Sequence, residues 1–408
     1  MKEETETLTR SVEQKAGRLL FIGLPGTRLD GHTRALLAEV RPGGVVLFGR
    51  NIESPSQVAR LTAQIRDAVG QPVLIGVDQE GGLVDRFRAI CEPMPSAKAV
   101  RGAGHSALAE KFGACTARVL RLLGFNINFA PVLDLSGDNQ ENGLRGRTFG
   151  AHPAHVSRLG GAYLDGLQRG GIIGCGKHFP GLGGSSVDSH RRLPVVKHSW
   201  DEIFERDLVP FMDLLFHRPG ERLRTVMVSH AAFPEVSEFL QEWFRRTADL
   251  PTLEEMHRLP ATISGNVVMR LLRRALKFDG LVITDDMEMG AVVETLTVAE
   301  ASLRAIQAGS DMILICEKEA NFVAARDAIV AAVGQGQLSV EALDAANRRI
   351  ERVLELACEC EPFDRAEFEA ASRDIHELNR ELHAAENDEE YTPLYGTPDG
   401  NERRSSNF

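Results

Sequence analysis

The sequence predicts an α/β protein built as a single (β/α)8 TIM barrel, and three observations predict it. Eight short apolar runs alternate with helix-period segments over ~300 residues, the pattern of parallel strands joined by helices. Five of the runs end in polar or ionisable residues: Asp78, Asp134, Lys177-His178, His230 and Asp285-Asp286. In a barrel those strand ends converge on one mouth. The first strand is followed by GLPGTRLDG, which lacks the GxGxxG spacing that a doubly wound dinucleotide-binding sheet wants there.

In chain order the strand runs are Leu19–Gly23, Val45–Phe48, Val73–Val77, Asn126–Leu133, Ile172–His178, Thr225–His230, Leu281–Asp285 and Asp311–Cys316. They are continuously apolar rather than alternating, as strands buried on both faces are. Between them, residues 55–69, 155–169 and 291–309 read as helices with one apolar face, and residues 340–357 as another. Residues 235–259 read as a loop insertion carrying a short helix. The polar segment 361–386 is helical in part, and the stretch beyond it, acidic and then rich in Pro, Gly and Ser, is expected to be disordered. The expected organisation is an N-terminal segment over 1–16, the barrel over 17–360 and a charged C-terminal extension over 361–408.

The chain has 408 residues and a formal net charge of −11, and its 43% hydrophobic content is enough to fill a core. This composition excludes a collagen, a disulfide framework and a largely disordered chain. An acidic chain is also poorly suited to holding nucleic acid by charge. The N-terminus is polar and acidic rather than basic and then apolar, and no apolar run approaches the ~20 residues of a membrane span. The six cysteines are scattered, which fits reduced thiols. Cys358-Glu-Cys360 would need a second pair or nearby His to hold a metal. A cytoplasmic location, no membrane partner and no metal or organic cofactor are the expectations, with a monomer favoured.

Three clusters and one further arginine carry chemistry. In GKHFPGLGGSSVDSHRRLP (176–194) a strand delivers Lys177 and His178 before a Gly/Ser-rich loop presents Asp188-Ser189-His190. Residues i and i+2 of an extended loop project to the same side, so Asp188 can touch His190. A carboxylate against imidazole fixes its tautomer and raises its pKa, giving a proton donor and acceptor near neutrality. The Gly183-Gly184-Ser185-Ser186 stretch would let that loop swing in and out. In FDGLVITDDMEMGAV (278–292) Asp285 and Asp286 end a strand, and alternation points one into the mouth while the other faces away or caps the next helix. Such a carboxylate can serve as nucleophile, metal ligand or helix cap. In GVDQEGGLVDRF (76–87) Asp78 ends a strand and Arg86 follows a Gly-Gly turn; Arg147 stands in GLRGRTFG. Charged side chains of both signs suit a polyhydroxylated ligand, because each makes charge-assisted hydrogen bonds to vicinal hydroxyls. For Asp78 and Arg86 the plainer reading is an ion pair that shapes the loop.

These pieces, with FAPVLD, GRTFG and PATIS, stand in an order that resembles the bacterial β-N-acetylglucosaminidases of glycoside hydrolase family 3, over roughly residues 17–357. KHFPG followed by DSH is the more specific signal. It separates that branch from the family's β-glucosidases, whose acid/base is a Glu in a second domain. The resemblance implies exo-acting, retaining hydrolysis of terminal β-linked GlcNAc, with Asp285 as nucleophile, His190 as general acid/base and Asp188 as its partner. It implies that Asp78, Arg86, Arg147, Lys177 and His178 bind the sugar. It implies a small carbohydrate or muropeptide substrate, such as GlcNAc-1,6-anhydroMurNAc from peptidoglycan recycling. A related family 3 β-glycosidase stays open, and so does a phosphorylase, since a histidine repels incoming phosphate less than a glutamate does. A catalytically inactive sugar-binding protein is the reading from another class. Its support is Leu182, which stands where the family commonly has the second His of KHFPGHG.

Overall fold

The computed structural model describes residues 10–137, 143–185, 193–216, 223–243, 259–358 and 362–386. Eight parallel strands close into a barrel: β1 (Leu20–Gly23), β2 (Gly44–Leu47), β3 (Leu74–Val77), β4 (Ile127–Asn128), β5 (Ile173–Phe179), β6 (Thr225–Val228), β7 (Leu281–Asp286) and β8 (Met312–Ile315), with β8 pairing back onto β1. Each strand is buried on both faces because its residues serve two cores in alternation. Phe21, Val46, Ile127, Ile283 and Met312 point into the barrel, where the Phe21 and Phe129 rings meet edge to face at 5.2 Å. Leu20, Val45, Leu47, Val282 and Ile313 point outward into the layer shared with the helices. Ile350 and Val353 of the helix Val340–Leu354 join the inner cluster and close the barrel at the N-terminal ends of its strands.

Several predicted elements change length for identifiable reasons. The expected strand 126–133 pairs as a strand only over Ile127–Asn128. Pro131 has no N–H to donate, and the chain rejoins β5 through Val132 opposite Lys177. The helix expected over 291–309 is two, Gly290–Val293 and Val298–Ala308. Thr297 restarts it: its hydroxyl accepts from the Glu300 N–H and the Glu300 side chain reaches back to the Thr297 backbone, a reciprocal cap. Helices Pro55–Val69 and Pro153–Arg169 match the periodicity closely, both with Pro in the first turn.

The chain ends contribute to the same outer layer. Helix Val12–Arg18 runs across position 16, with Lys15 paired to Asp344 at 2.7 Å and the Arg18 Nε donating to Asn347 at 3.0 Å. The polar segment near the C-terminus is a 22-residue helix, Arg365–Glu386. It buries Phe368, Ala371, Ile375, Leu378 and Leu382 in the main core. The insertion contributes the helix Pro234–Trp243; its remainder, 244–258, and the tail, 387–408, lie outside the described residues. No helix among the described residues is long and apolar enough to cross a membrane.

Candidate active site

Where β3, β5 and β7 end, side chains from distant parts of the chain surround a cavity of about 250 Å³. That is slightly below the ~300–1,000 Å³ of drug-sized sites, and it suits one small polar ligand. Asp78, Arg86, Arg147, Lys177, His178 and Asp285 all line it, so six of the eight residues singled out from sequence meet there. The other two, Asp188 and His190, lie outside the described residues. A larger cavity of about 450 Å³ sits at the opposite end, beside Arg224, Phe278, Asp279 and Arg349, and receives no side chain from the strands' C-terminal ends.

The charged residues form one hub. Lys177 on β5 reaches Asp78 at 2.7 Å and Glu80 at 2.5 Å. Glu80 in turn takes a two-pronged bond from Arg147, at 2.7 Å from Nε and 2.8 Å from Nη2. Arg86 approaches Asp78 at 3.8 Å, and its Nε is buried without a partner among the described residues. For Lys177 and Glu80 burial favours the neutral form, and the fields of their partners reverse that. Burial pushes Lys177 down, but Asp78 and Glu80 outweigh it and raise the ammonium above its ordinary value. Burial pushes Glu80 up, and Arg147 and Lys177 hold it well below the usual carboxylate range.

Glu80 was not singled out from sequence. It stands two residues after Asp78, so alternation was the available signal. The arm that carries Glu80 and Arg86 turns at Gly81, whose φ is +83° and where a Cβ would lie 2.0 Å from the Pro95 carbonyl oxygen. Asp85 ties the arm together, accepting from Gln79 Nε2 (2.8 Å), Phe87 N (3.1 Å) and Met94 N (2.9 Å).

His178 is set from behind by Asp134, the strand-end residue of FAPVLD. The carboxylate meets Nδ1 at 2.6 Å and also accepts the Leu182 N–H at 2.6 Å. The proton therefore sits on Nδ1, which leaves Nε2 clear of Asp134. Leu182, 4% exposed, is part of the cavity wall while its backbone anchors the following loop. Glycines 183 and 184 are tightly packed: a Cβ would lie 1.7 Å from the Leu135 carbonyl oxygen at the first and 2.5 Å from the His198 ring at the second. Both are points of close approach, and the loop they lead into, 186–192, lies outside the described residues.

Asp285 and Asp286 both line the cavity. The register between β7 and β8 shifts between Ile283 and Asp286, and the shift re-aims the strand end. The Asp286 N–H donates to Asp285 Oδ1 at 2.9 Å, and Asp286 Oδ1 accepts from the Glu288 N–H at 3.1 Å. Burial pushes Asp285 up, but His230, His178, the Asp286 N–H and Lys177 together hold it below the usual carboxylate range. Asp286 goes the other way: burial first, then the Asp285 and Glu288 charges, push it up to about 7. His230 supports this strand end, its Nε2 donating to the Asp286 carbonyl at 2.8 Å and its Nδ1 meeting the Thr262 hydroxyl at 2.6 Å.

Such an arrangement can grip a neutral, hydroxyl-rich ring through charged donors and acceptors while keeping one carboxylate ionised beside it. Residues 11–353 match the glycosyl hydrolase family 3 N-terminal domain. The chain is 34% identical over 312 residues to a protein of Tolumonas auensis named beta-hexosaminidase, covering 76% of this chain and 86% of that one. A Pseudomonas aeruginosa beta-hexosaminidase is 34% identical over 304 residues, covering 74% and 83%. The fold superposes on a glycoside hydrolase family 3 β-N-acetylglucosaminidase from a Paenibacillus species with a TM-score of 0.79 and 32% identity, over 91% of this chain and 69% of that one. A β-N-acetylhexosaminidase from Beutenbergia cavernae gives 0.73 and 25%, over 85% and 99%. The barrel, the mouth cluster and these matches agree, and the chain belongs to glycosyl hydrolase family 3.

Proposed function

We propose that this chain is an exo-acting, retaining β-N-acetylglucosaminidase. The observation that carries the reading is Asp285: a carboxylate kept ionised at the end of β7, in a cavity with room for about one sugar and ringed by charged hydrogen-bonding groups. In the first step an Asp285 oxygen attacks the anomeric carbon. The C1–O bond to the leaving group breaks, and His190 gives its proton to the departing oxygen. In the second step His190 takes a proton from water, whose oxygen displaces Asp285 from C1 and restores the β configuration. Asp188 holds the imidazole and raises its basicity. Asp78, Arg86, Arg147, Lys177 and His178 bind the GlcNAc unit, and Glu80 holds Lys177 and Arg147 in place.

The natural substrate in this reading is a peptidoglycan fragment such as GlcNAc-1,6-anhydroMurNAc, processed in the cytoplasm. The test is a panel of aryl β-glycosides of GlcNAc, glucose, GalNAc and xylose, run in phosphate and in phosphate-free buffer. Release from the GlcNAc substrate, with free GlcNAc as product in both buffers, is expected. GlcNAc-1-phosphate in phosphate buffer would make the chain a phosphorylase instead. Faster release from the glucoside would move it to another branch, and no release at all would favour a sugar-binding protein.

A further inference from the structure

The C-terminal helix Arg365–Glu386 begins beyond residue 353, where the family match ends, yet it touches the back of the arm that delivers Arg86 and Glu80 to the cavity. Three of its side chains converge on residues 91–94. The Ser372 hydroxyl accepts the Glu92 N–H at 2.9 Å, the Asn379 Nδ2 donates to the Pro93 carbonyl at 2.9 Å, and the His376 ring faces the Glu92 carboxylate at 3.3 Å. Residues 91–94 then hold the arm directly. The Met94 carbonyl accepts the Gly82 N–H at 3.1 Å, and the Met94 N–H donates to Asp85 at 2.9 Å. Asp85 receives the Gln79 amide, and the Gln79 side-chain oxygen accepts the Arg86 N–H at 2.8 Å. The path from helix to cavity runs through these hydrogen bonds and the 92–94 backbone between them.

On its barrel side the arm is held by Asn128, which bonds both the N–H and the carbonyl of Gln79, by the Glu80 pairs with Lys177 and Arg147 and by the buried Phe87 ring; the C-terminal helix supports it from the outer side. The arm is a loop between β3 and the helix Ala97–Ala103, with Leu83 74% exposed at its tip. A loop that must keep two charged groups in register with a ligand loses affinity if it moves by even an ångström. The helix itself is anchored elsewhere, by its buried Phe368, Ile375 and Leu378 and by Arg118 and Lys111 of the helix Ser106–Leu122. Arg118 pairs with Asp374 and with Glu367, the latter at 2.7 Å, and Lys111 pairs with Glu381 at 2.7 Å.

We infer that the C-terminal helix is a brace for the sugar-binding arm, and that Ser372 and Asn379 are positioning residues that set substrate affinity without touching substrate. This rests on the proposed function in one respect, that the arm binds the sugar. The test compares two double variants on an aryl β-N-acetylglucosaminide. Ser372→Ala/Asn379→Ala cuts the bonds to 91–94, and KM is expected to rise about three- to tenfold with kcat changed less than about twofold. Glu367→Gln/Asp374→Asn loosens the same helix from Arg118 without touching 91–94, and is expected to lower Tm comparably while leaving KM alone. Ser372→Thr keeps the hydroxyl and should keep the wild-type KM. If KM is flat in Ser372→Ala/Asn379→Ala, or rises equally in both double variants, the brace is overturned. Arg86→Ala separates the two layers. If it leaves KM unchanged, the arm's assignment as a sugar-binding element through Arg86 is wrong, whereas a raised KM there beside a flat one in Ser372→Ala/Asn379→Ala removes the brace alone.

Discussion

Two aspartates stand at opposite ends of the last two strands, and the molecule uses them differently. Asp311, just before β8 at the closed end of the barrel, is 1% exposed. Its carboxylate accepts from Arg273, from the Val282 N–H at 2.8 Å and from Arg349 at 3.1 Å. Asp285 ends β7 at the mouth, and among the described residues the hydrogen bond it accepts is the one from the Asp286 N–H at 2.9 Å. A carboxylate offers about four acceptor sites. At the base they are filled by two cations and a backbone donor, which ties Asp311 to the fold. At the mouth most are left for a ligand, and the negative charge is supported by surrounding groups rather than consumed by a bonded partner. A buried acid that holds the fold together has its lone pairs taken; Asp285 keeps most of its own open, as the proposed nucleophile requires.

Exchanging each for asparagine separates the two uses and carries the largest expected effects. Asp285→Asn should lower kcat for an aryl β-N-acetylglucosaminide by roughly four orders of magnitude or more with Tm little changed. Asp311→Asn should do the reverse, costing about 3–5 kcal/mol of stability, because it leaves Arg273 and Arg349 without their shared anion. Its kcat per folded molecule should stay within about twofold of wild type. Rates and melting curves on both proteins decide it, and a rate loss in Asp311→Asn as large as that in Asp285→Asn would erase the distinction.

The next effect is expected at the proposed acid/base. His190→Ala should slow turnover by about 10²–10⁴-fold, most for poor leaving groups that need the proton. A rate loss independent of leaving group would argue against that role. Glu80→Gln tests whether the mouth's charge hub works by position. Arg147 would keep a partner oxygen without its counter-charge, and Lys177 would lose one of its two anions. KM should rise about tenfold or more, with a smaller change in kcat.

Asp286 gives a subtler separation, read in the pH dependence of stability. Its folded pKa, about 7, lies above that of an unfolded aspartate, so the folded state holds the proton more tightly. The contribution is fully present below the unfolded value and is lost as pH rises through about 7. Asp286→Asn should therefore gain in Tm relative to wild type as pH is raised from about 4 to 7. A difference that is constant with pH would exclude the titration. The smallest effect is expected from Leu182→His: the backbone N–H bonds Asp134 whatever the side chain, so activity should change by no more than a few-fold.

Much of the barrel was legible because strands buried on both faces leave continuous apolar runs, and a run is a local signal. The mouth was legible for a related reason. Ionisable groups are not needed to end a strand, so Asp78, Lys177-His178 and Asp285-Asp286 stood out against the apolar residues before them. The C-terminal helix was partly legible too: Phe368, Ala371, Ile375, Leu378 and Leu382 recur at helical spacing, but nothing in that spacing says which surface they cover. Glu80 escaped notice because its importance lies in its partners. Alternation left the direction of Asp286 open, because it does not foresee a shift in register.

The sequence by itself determined the strand and helix pattern, the barrel class and the ionisable residue types that end the strands. The tertiary structure decided which of those residues meet. Lys177 and Asp78 are 99 positions apart and touch only because β3 and β5 end side by side at one rim. Periodicity reports which face of its own element a residue occupies. The pairing of charges across a barrel depends on the lateral order and register of its strands, which long-range contacts set, and no local pattern encodes them.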